Sequence, residues 1–277
     1  MYLDYLINFI KDSVREIIQI GLLIFFVVIP SIFDFEGIIK TLLIGEPITL
    51  ENIKYYYLMS AGNLAMGCLL AAFVFVRFIR VSNKDTIFNR GNLYHDKPYM
   101  WYWFSSKILG YKKCNLILVP IYLQYKLIIN DIFEEYPFNE SDFPTKNCHV
   151  DVRRELTRQG APLNEINLII QDTYPIIDDQ IPVEKIANNT ILIMRNREYI
   201  GERIYCEELI DIVAEEVRRL NDNITLNIFS TTNPKNTYEI VKRVICTGNR
   251  GNIGSVNVFQ QDNKGIRAFA SKSYKVI

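Results

Sequence analysis

The stretch "IFSTTNPKNTYEIVKRVI", residues 228–245, closes an apolar run, crosses a polar turn and opens a helix at Asn233-Pro234. An Asn at the N-cap satisfies the first free N–H groups of a helix, and Pro is pre-organised for the first helical position. Strand, turn and helix in this order make half of a parallel β-α-β unit, and the neighbouring sequence repeats the pattern. "EINLII" (165–170), "NTILIMR" (189–195) and "NITLNIF" (223–229) read as strands, and "CEELIDIVAEEVRRL" (206–220) reads as the helix before the third. That helix sets Leu209, Ile210, Val213, Val217 and Leu220 on one face. Glu207 and Glu208 lie in its first turn and Arg218 and Arg219 in its last, as the helix dipole favours. Downstream, "SVNVFQQ" (255–261) reads as a fourth strand with "IRAFAS" (266–271) as its hairpin partner. Alternating strands and helices predict an α/β fold, a Rossmann-like, mostly parallel sheet with an antiparallel edge.

The N-terminal third has another character. Residues 17–33, "IIQIGLLIFFVVIPSIF", carry no charge, and residues 57–76, "YLMSAGNLAMGCLLAAFVFV", form a second uncharged run. Each approaches the length, about 20 residues, that a helix needs to cross a bilayer. A buried core helix explains one such run; two within 80 residues predict a membrane domain. No basic leader or small-residue cleavage site accompanies the first, so it reads as an uncleaved anchor. The amphipathic segment 2–17 suits a helix on the membrane surface or the wet end of the first span. Arg77, Arg80, Lys84 and Arg90 follow the second span, whereas only Lys40 and Lys54 lie between the two. The positive-inside rule then predicts a membrane protein with both termini cytoplasmic. Ser60, Gly62, Ala65, Gly67, Ala71 and Ala72 offer close helix packing. Asn63 implies either an interhelical hydrogen bond or a wetted lumen.

The sequence thus divides into a membrane domain at 1–80, a juxtamembrane or partial lobe at 81–147 and a Rossmann-like lobe at 148–277. Within the second part, the aromatic run "YMWYWF" (99–104) suits a lipid interface or a small core. "NLILVPIYLQYKLIINDIF" (115–133), interrupted by Pro120, reads as one or two buried strands. The 277 residues carry 31 basic and 31 acidic side chains, but from Lys242 onward seven basic residues face the single acid Asp262. Such a stretch attracts a phosphate-bearing ligand or is simply a solvated face near an anionic leaflet. Five scattered cysteines without C-x-x-C spacing read as free thiols, and with two histidines they leave no metal centre or cofactor to expect.

Ligands of open α/β sheets bind beyond the carboxyl ends of the strands. Ser230, Thr231, Thr232 and Lys235 follow the third strand, Asp172, Thr173 and Tyr174 the first, and Arg195, Asn196 and Arg197 the second. Hydroxyls, guanidinium groups and a stacking ring in this arrangement suit an anionic, base-bearing ligand, although every helix needs a cap and loops are polar anyway. The Gly-rich "TGNRGNIGS" (247–255) precedes a strand, so it matches neither phosphate-loop fingerprint.

Together, "NIFSTTNPKN", the helix "TYEIVKRVI" and the paired "SVNVFQQD" and "IRAFAS" resemble the sensor lobe of CARF and SAVED domains over roughly residues 164–271. That resemblance implies a cyclic-oligonucleotide ligand of anti-phage signalling, held at Thr173, Arg195, Arg197, Ser230, Thr231, Thr232 and Lys235, to which the strand-end reading adds Tyr174 as a stacking face. A full SAVED module has two such lobes, so it also implies a second subunit completing the site or a degenerate first lobe. The expectation is a non-enzymatic effector of the bacterial inner membrane whose partners are a cyclic nucleotide, the bilayer and other copies of itself, not DNA, and whose output is membrane permeabilisation. A membrane-tethered protein-interaction scaffold is the alternative, and a membrane-bound nucleotide hydrolase using Asp172, Asp178 or Asp179 ranks third.

Overall fold

A computed structural model describes residues 2–43, 53–54, 62–91, 93–156, 159–196, 198, 201–247, 252–262 and 265–277. Two compact units emerge, residues 1–90 with 100–113 and residues 91–99 with 114–277. Residues 81–147 are shared between them.

In the first unit, helix α1 (Tyr2–Asp12) breaks at Ser13 and α2 (Val14–Ile32) follows. A turn at Asp34 leads into α3 (Phe35–Leu43). Helix α4 (Gly62–Val74) runs on through a wide π turn at Phe75–Ile79 to Lys84. Residues 57–61 of the expected second span lie outside the described residues. At about 1.5 Å per residue α2 spans about 28 Å, close to the hydrocarbon thickness. Only 17% and 22% of the two apolar windows are buried, which distinguishes them from the core helices of a water-soluble protein.

Helices α2 and α4 pack against each other and are tied at both ends. At one end the Asn63 side chain accepts from Glu36 N at 2.7 Å and donates to Asp34 Oδ1 at 3.1 Å. Asn63 therefore serves as an interhelical tie. At the other end Asn83 exchanges two hydrogen bonds with Gln19, at 2.8 and 3.0 Å, accepts from Arg15 at 3.2 Å and donates to the carbonyl of Leu109 at 2.9 Å. Between the ties, a Cβ on Gly67 would fall 2.1 Å from the carbonyl oxygen of Val27, so only glycine permits this approach.

In the second unit, α5 (Ile121–Ile129) starts directly after Pro120 and buries Leu123, Tyr125, Leu127 and Ile128. The expected strand or strands at 115–133 are thus corrected to a helix: Pro120 acts as its N-cap. A six-stranded sheet follows, built from β1 (Val150–Glu155), β2 (Glu165–Gln171), β3 (Asn189–Arg195), β4 (Ile224–Ser230), β5 (Ile253–Gln261) and β6 (Phe269–Lys275). Its order is β1-β3-β2-β4-β5-β6. The four inner strands are parallel, and β1 and β6 run antiparallel at the two edges. The Rossmann-like character is therefore partial and the sheet is mixed. The sixth strand also starts three residues later than the hairpin pattern suggests.

Helices α6 (Val183–Ile186), α7 (Glu207–Arg218) and α8 (Pro234–Ile240) connect the strands. Leu168, Ile170, Ile191, Ile193, Leu226 and Ile228 are buried on one face of the sheet. Ile169, Phe229, Phe259 and Phe269 pack on the other with Ile176 and Ile181. The edge strand β1 is fastened to α7 by Arg154, which binds both carboxylate oxygens of Glu216 at 2.6 Å. Cys148 and Cys206 form a disulfide across a Cα–Cα distance of 6.2 Å. The expectation of free thiols is corrected for this pair and holds for Cys68, Cys114 and Cys246.

Gly67→Ala is expected to destabilise the detergent-solubilised chain by about 2 kcal/mol or more, since the added carbon must push two backbones apart. Gly21→Ala, with nothing within 4 Å of the new carbon, should be neutral or stabilising; thermal unfolding of both variants checks this. The Arg154 guanidinium holds the Glu216 carboxyl below its ordinary pKa of 4.5. Its stabilisation is therefore present at neutral pH and lost as pH falls through that lowered folded value. The melting-temperature gap between wild type and Glu216→Gln should be widest near pH 7 and close under stronger acid.

Candidate functional site

The chain moves from β2 to β3 on one side, then crosses to β4 on the other, so successive connections diverge between β2 and β4. Such a switch point opens a crevice beyond the carboxyl ends of the strands. Here the protein's own backbone and hydroxyls close it. Thr173 donates to the carbonyl of Thr231 from its N–H at 3.1 Å and from its hydroxyl at 2.7 Å. Thr231 N–H donates to Ile170 at 3.0 Å, and the Thr231 hydroxyl donates to the carbonyl of Tyr174 at 2.7 Å. The hydroxyls of Ser230, Thr232 and Thr237 form a chain with 2.7 Å links.

An anion does sit at the mouth of α8, and it is the carboxylate of Asp172. Its Oδ2 accepts from Asn233 N and Nδ2, both at 3.0 Å, and from Asn236 Nδ2 at 2.9 Å. Its Oδ1 lies 3.1 Å from Arg195 Nε, with both side chains fully buried. Arg195 also donates to the carbonyls of Asp172 and Glu202, at 2.9 and 3.0 Å. Burial pushes the Asp172 pKa up, and the Arg195 charge and the Asn donors pull against that rise. Asn233 meanwhile caps α8 by accepting from Lys235 N and Asn236 N at 3.1 Å. Asn236 Oδ1 accepts from Cys206 N at 3.2 Å, which couples this hub to the disulfide.

The accessible part of the region is a neighbouring cleft of about 350 Å³ lined by Asp151, Arg153, Gln171, Tyr174, Met194 and Asn196, with Asp172, Pro175 and Arg195 completing it. Strand register explains its composition. Asp151 pairs with Met194 and Gln171 pairs with Met194, so these side chains share one face of the sheet. Arg153, paired with Leu192, shares that face, whereas Arg154 turns to α7. Tyr174 and Arg153 are exposed at the rim, and the Arg267 guanidinium lies 4.9 Å from the Tyr174 ring centroid.

Of the strand-end residues the sequence proposes, Asp172, Tyr174, Arg195 and Asn196 line this cleft. Thr173, Ser230, Thr231 and Thr232 are buried and hydrogen-bonded internally. Lys235 places its ammonium 4.5 Å from the Tyr205 ring, apart from the cleft lining, and Arg197 lies outside the described residues. Arg153 and Asp151 escaped the sequence reading because β1, "VDVRRE", is too charged to stand out as a strand. The alternation of Val150 and Val152 with Asp151 and Arg153 was the available signal. Among the described residues no group of acidic, His and Cys side chains is placed to hold a metal ion.

Residues 2–277 match the family described as the SMODS- and ubiquitin system-associated 2TM effector domain. The chain belongs to this family. The match takes in both apolar helices and the whole α/β unit as one effector domain, in agreement with the two candidate spans. It supports the two-span effector and does not extend to a CARF or SAVED sensor fusion. No curated protein matches the chain.

Asp172→Asn leaves the buried Arg195 charge without its counter-ion and is expected to cost about 3–5 kcal/mol. The double variant Asp172→Asn/Arg195→Met, which removes both charges, should be more stable than Asp172→Asn alone, as equilibrium denaturation of the solubilised chain will read.

Proposed function

We propose that this two-span effector acts in defence by binding a cyclic oligonucleotide in the cleft beside β1, β2 and β3, and that the α2/α4 hairpin answers by permeabilising the membrane. The observation that carries the reading is the cleft itself. An exposed aromatic ring and an exposed arginine flank a polar hollow at the carboxyl ends of parallel strands, where a base can stack and a phosphate can be held bidentately. The family description supports the effector half, and the positive flank after the second helix supports an inner-membrane orientation with both termini in the cytoplasm.

On this reading the protein binds and does not turn over its ligand. A bound ligand biases the arrangement of several copies through its differential affinity for one of them. The ligand meets Arg153, Tyr174 and Asn196 first, while Asp172, Arg195 and the strand-end hydroxyls hold the walls in place.

Full-length protein in nanodiscs, titrated with cyclic di-, tri- and tetranucleotides, should show saturable thermal stabilisation by one of them. Tyr174→Ala should weaken binding by roughly tenfold, the loss of one stacked base. Arg153→Ala should weaken it similarly, and Lys235→Ala little. Liposomes bearing the protein should leak dye only with that nucleotide. Stabilisation by none of the nucleotides, or a response unaltered by either cleft substitution, contradicts the proposal.

A further inference from the structure

The second span ends in exposed cations that no acid answers. Residues 77–84 and 100–113 carry Arg77, Arg80, Lys84, Lys107, Lys112 and Lys113 and no Asp or Glu. The first unit brings the two stretches side by side. Asn83 donates to the carbonyl of Leu109 at 2.9 Å, and a Cβ on Gly110 would lie 3.3 Å from the Cβ, Cγ and Nε of Arg80. Gly110 also has φ of +85°, a conformation that favours glycine, so the turn and its close approach to Arg80 depend on the same residue. The stem of Arg80 is thereby held against this turn, its guanidinium carbon lies 5.8 Å from the Phe75 ring centroid, and the residue is still exposed. Arg77 and Lys84 are exposed on the same continuous helix. Among the described residues, Arg77, Arg80 and Lys84 form no ion pair, even with the neighbouring Asp85.

The Gln19 to Asn83 tie sets this end of the helix level with the start of the uncharged run of α2, where a span leaves the hydrocarbon for the headgroups. Apolar side chains surround the cations at that level. Phe78 and Val81 are exposed between them. The short helix Tyr99–Trp103 turns Tyr102 inward, its ring 5.5 Å from Phe88, and leaves Met100 64% and Trp103 38% exposed. Phe9 of α1 meets Trp101 at 5.2 Å, so α1 borders the same surface with Leu6 and Ile10 exposed. Cations without carboxylates among exposed rings and aliphatic chains match a surface that is anionic at the headgroups and apolar just beneath. A guanidinium held by its stem suits a lipid phosphate, which it can bind through two N–H donors. We infer that Arg77, Arg80 and Lys84 form a binding surface for the headgroups of anionic phospholipids in the leaflet at this end of the hairpin, with Met100 and Trp103 seated at the interface. Continuity with the two spans is what commits the surface to lipid. The bound headgroups neutralise the three cations and fasten the end of the second span beside the Asn83 tie.

The test is thermal unfolding of the full chain in neutral detergent, titrated with phosphatidylglycerol, phosphatidylcholine or inorganic phosphate at fixed ionic strength. The expected result is a saturable upward shift in melting temperature with phosphatidylglycerol beyond that seen with phosphatidylcholine or phosphate, shrinking as salt is raised. Arg77→Gln/Lys84→Gln, which leaves the Arg80 packing intact, should move the response to higher lipid by roughly fivefold for each charge removed, and Arg80→Gln alone by at least as much. Lys272→Gln/Lys275→Gln, which removes two charges from β6 of the sheet, should leave it unchanged. Equal shifts with the two lipids, a shift reproduced by inorganic phosphate, an equal loss in Lys272→Gln/Lys275→Gln, or a full response in Arg77→Gln/Arg80→Gln/Lys84→Gln would overturn the assignment.

Discussion

The carboxylate of Asp172 is the constraint on which the α/β unit depends. It stands at the end of β2, collects N–H donors from the start of α8 and takes the Arg195 charge from the end of β3. Three elements separated by long stretches of chain are thereby fixed around one buried charge. A pair so placed contributes more to geometry than to net stability, because desolvating both ions offsets most of their attraction. Its consequence is spatial. The switch-point crevice and the helix mouth are filled from within, and the approachable space moves one strand over, to the cleft floored by Met194 and Gln171.

The membrane hairpin follows the same rule in a different solvent. Lipid gives apolar helices no hydrophobic reason to associate, so close backbone contact and hydrogen bonds do the work. Gly67 supplies the contact with Val27, and Asn63 and Asn83 supply bonds at opposite ends. Loosening either end would let the two helices shift relative to each other, which is the kind of change that an effector working through two spans requires.

Much of this was legible in the sequence where one physical signal dominated. Uninterrupted hydropathy marked both spans, and apolar runs bounded by polar turns marked the four parallel strands. What escaped depended on contacts distant in sequence. The strand at 150–155 shows only a short alternation among its charges, and its place is fixed by distant partners, β3 beside it and Glu216 on α7, which meets Arg154. Pro120 looked like a strand interrupter, yet it caps a helix. Cys148 and Cys206 stand 58 residues apart, and no spacing announces such a pair. The strand-end residues were placed correctly along the chain, but a one-dimensional reading could not tell that Asp172 would occupy the helix mouth in place of a ligand.

The claim most open to a direct measurement is that ligand meets this protein at the cleft and not at the helix mouth. Hydrogen–deuterium exchange on the full chain in nanodiscs, with and without a stabilising cyclic oligonucleotide, separates the two. New protection at residues 151–153 and 174–175 with no change at 232–236 is the result expected here. Protection concentrated at 232–236, with the edge strand unaffected, would contradict it.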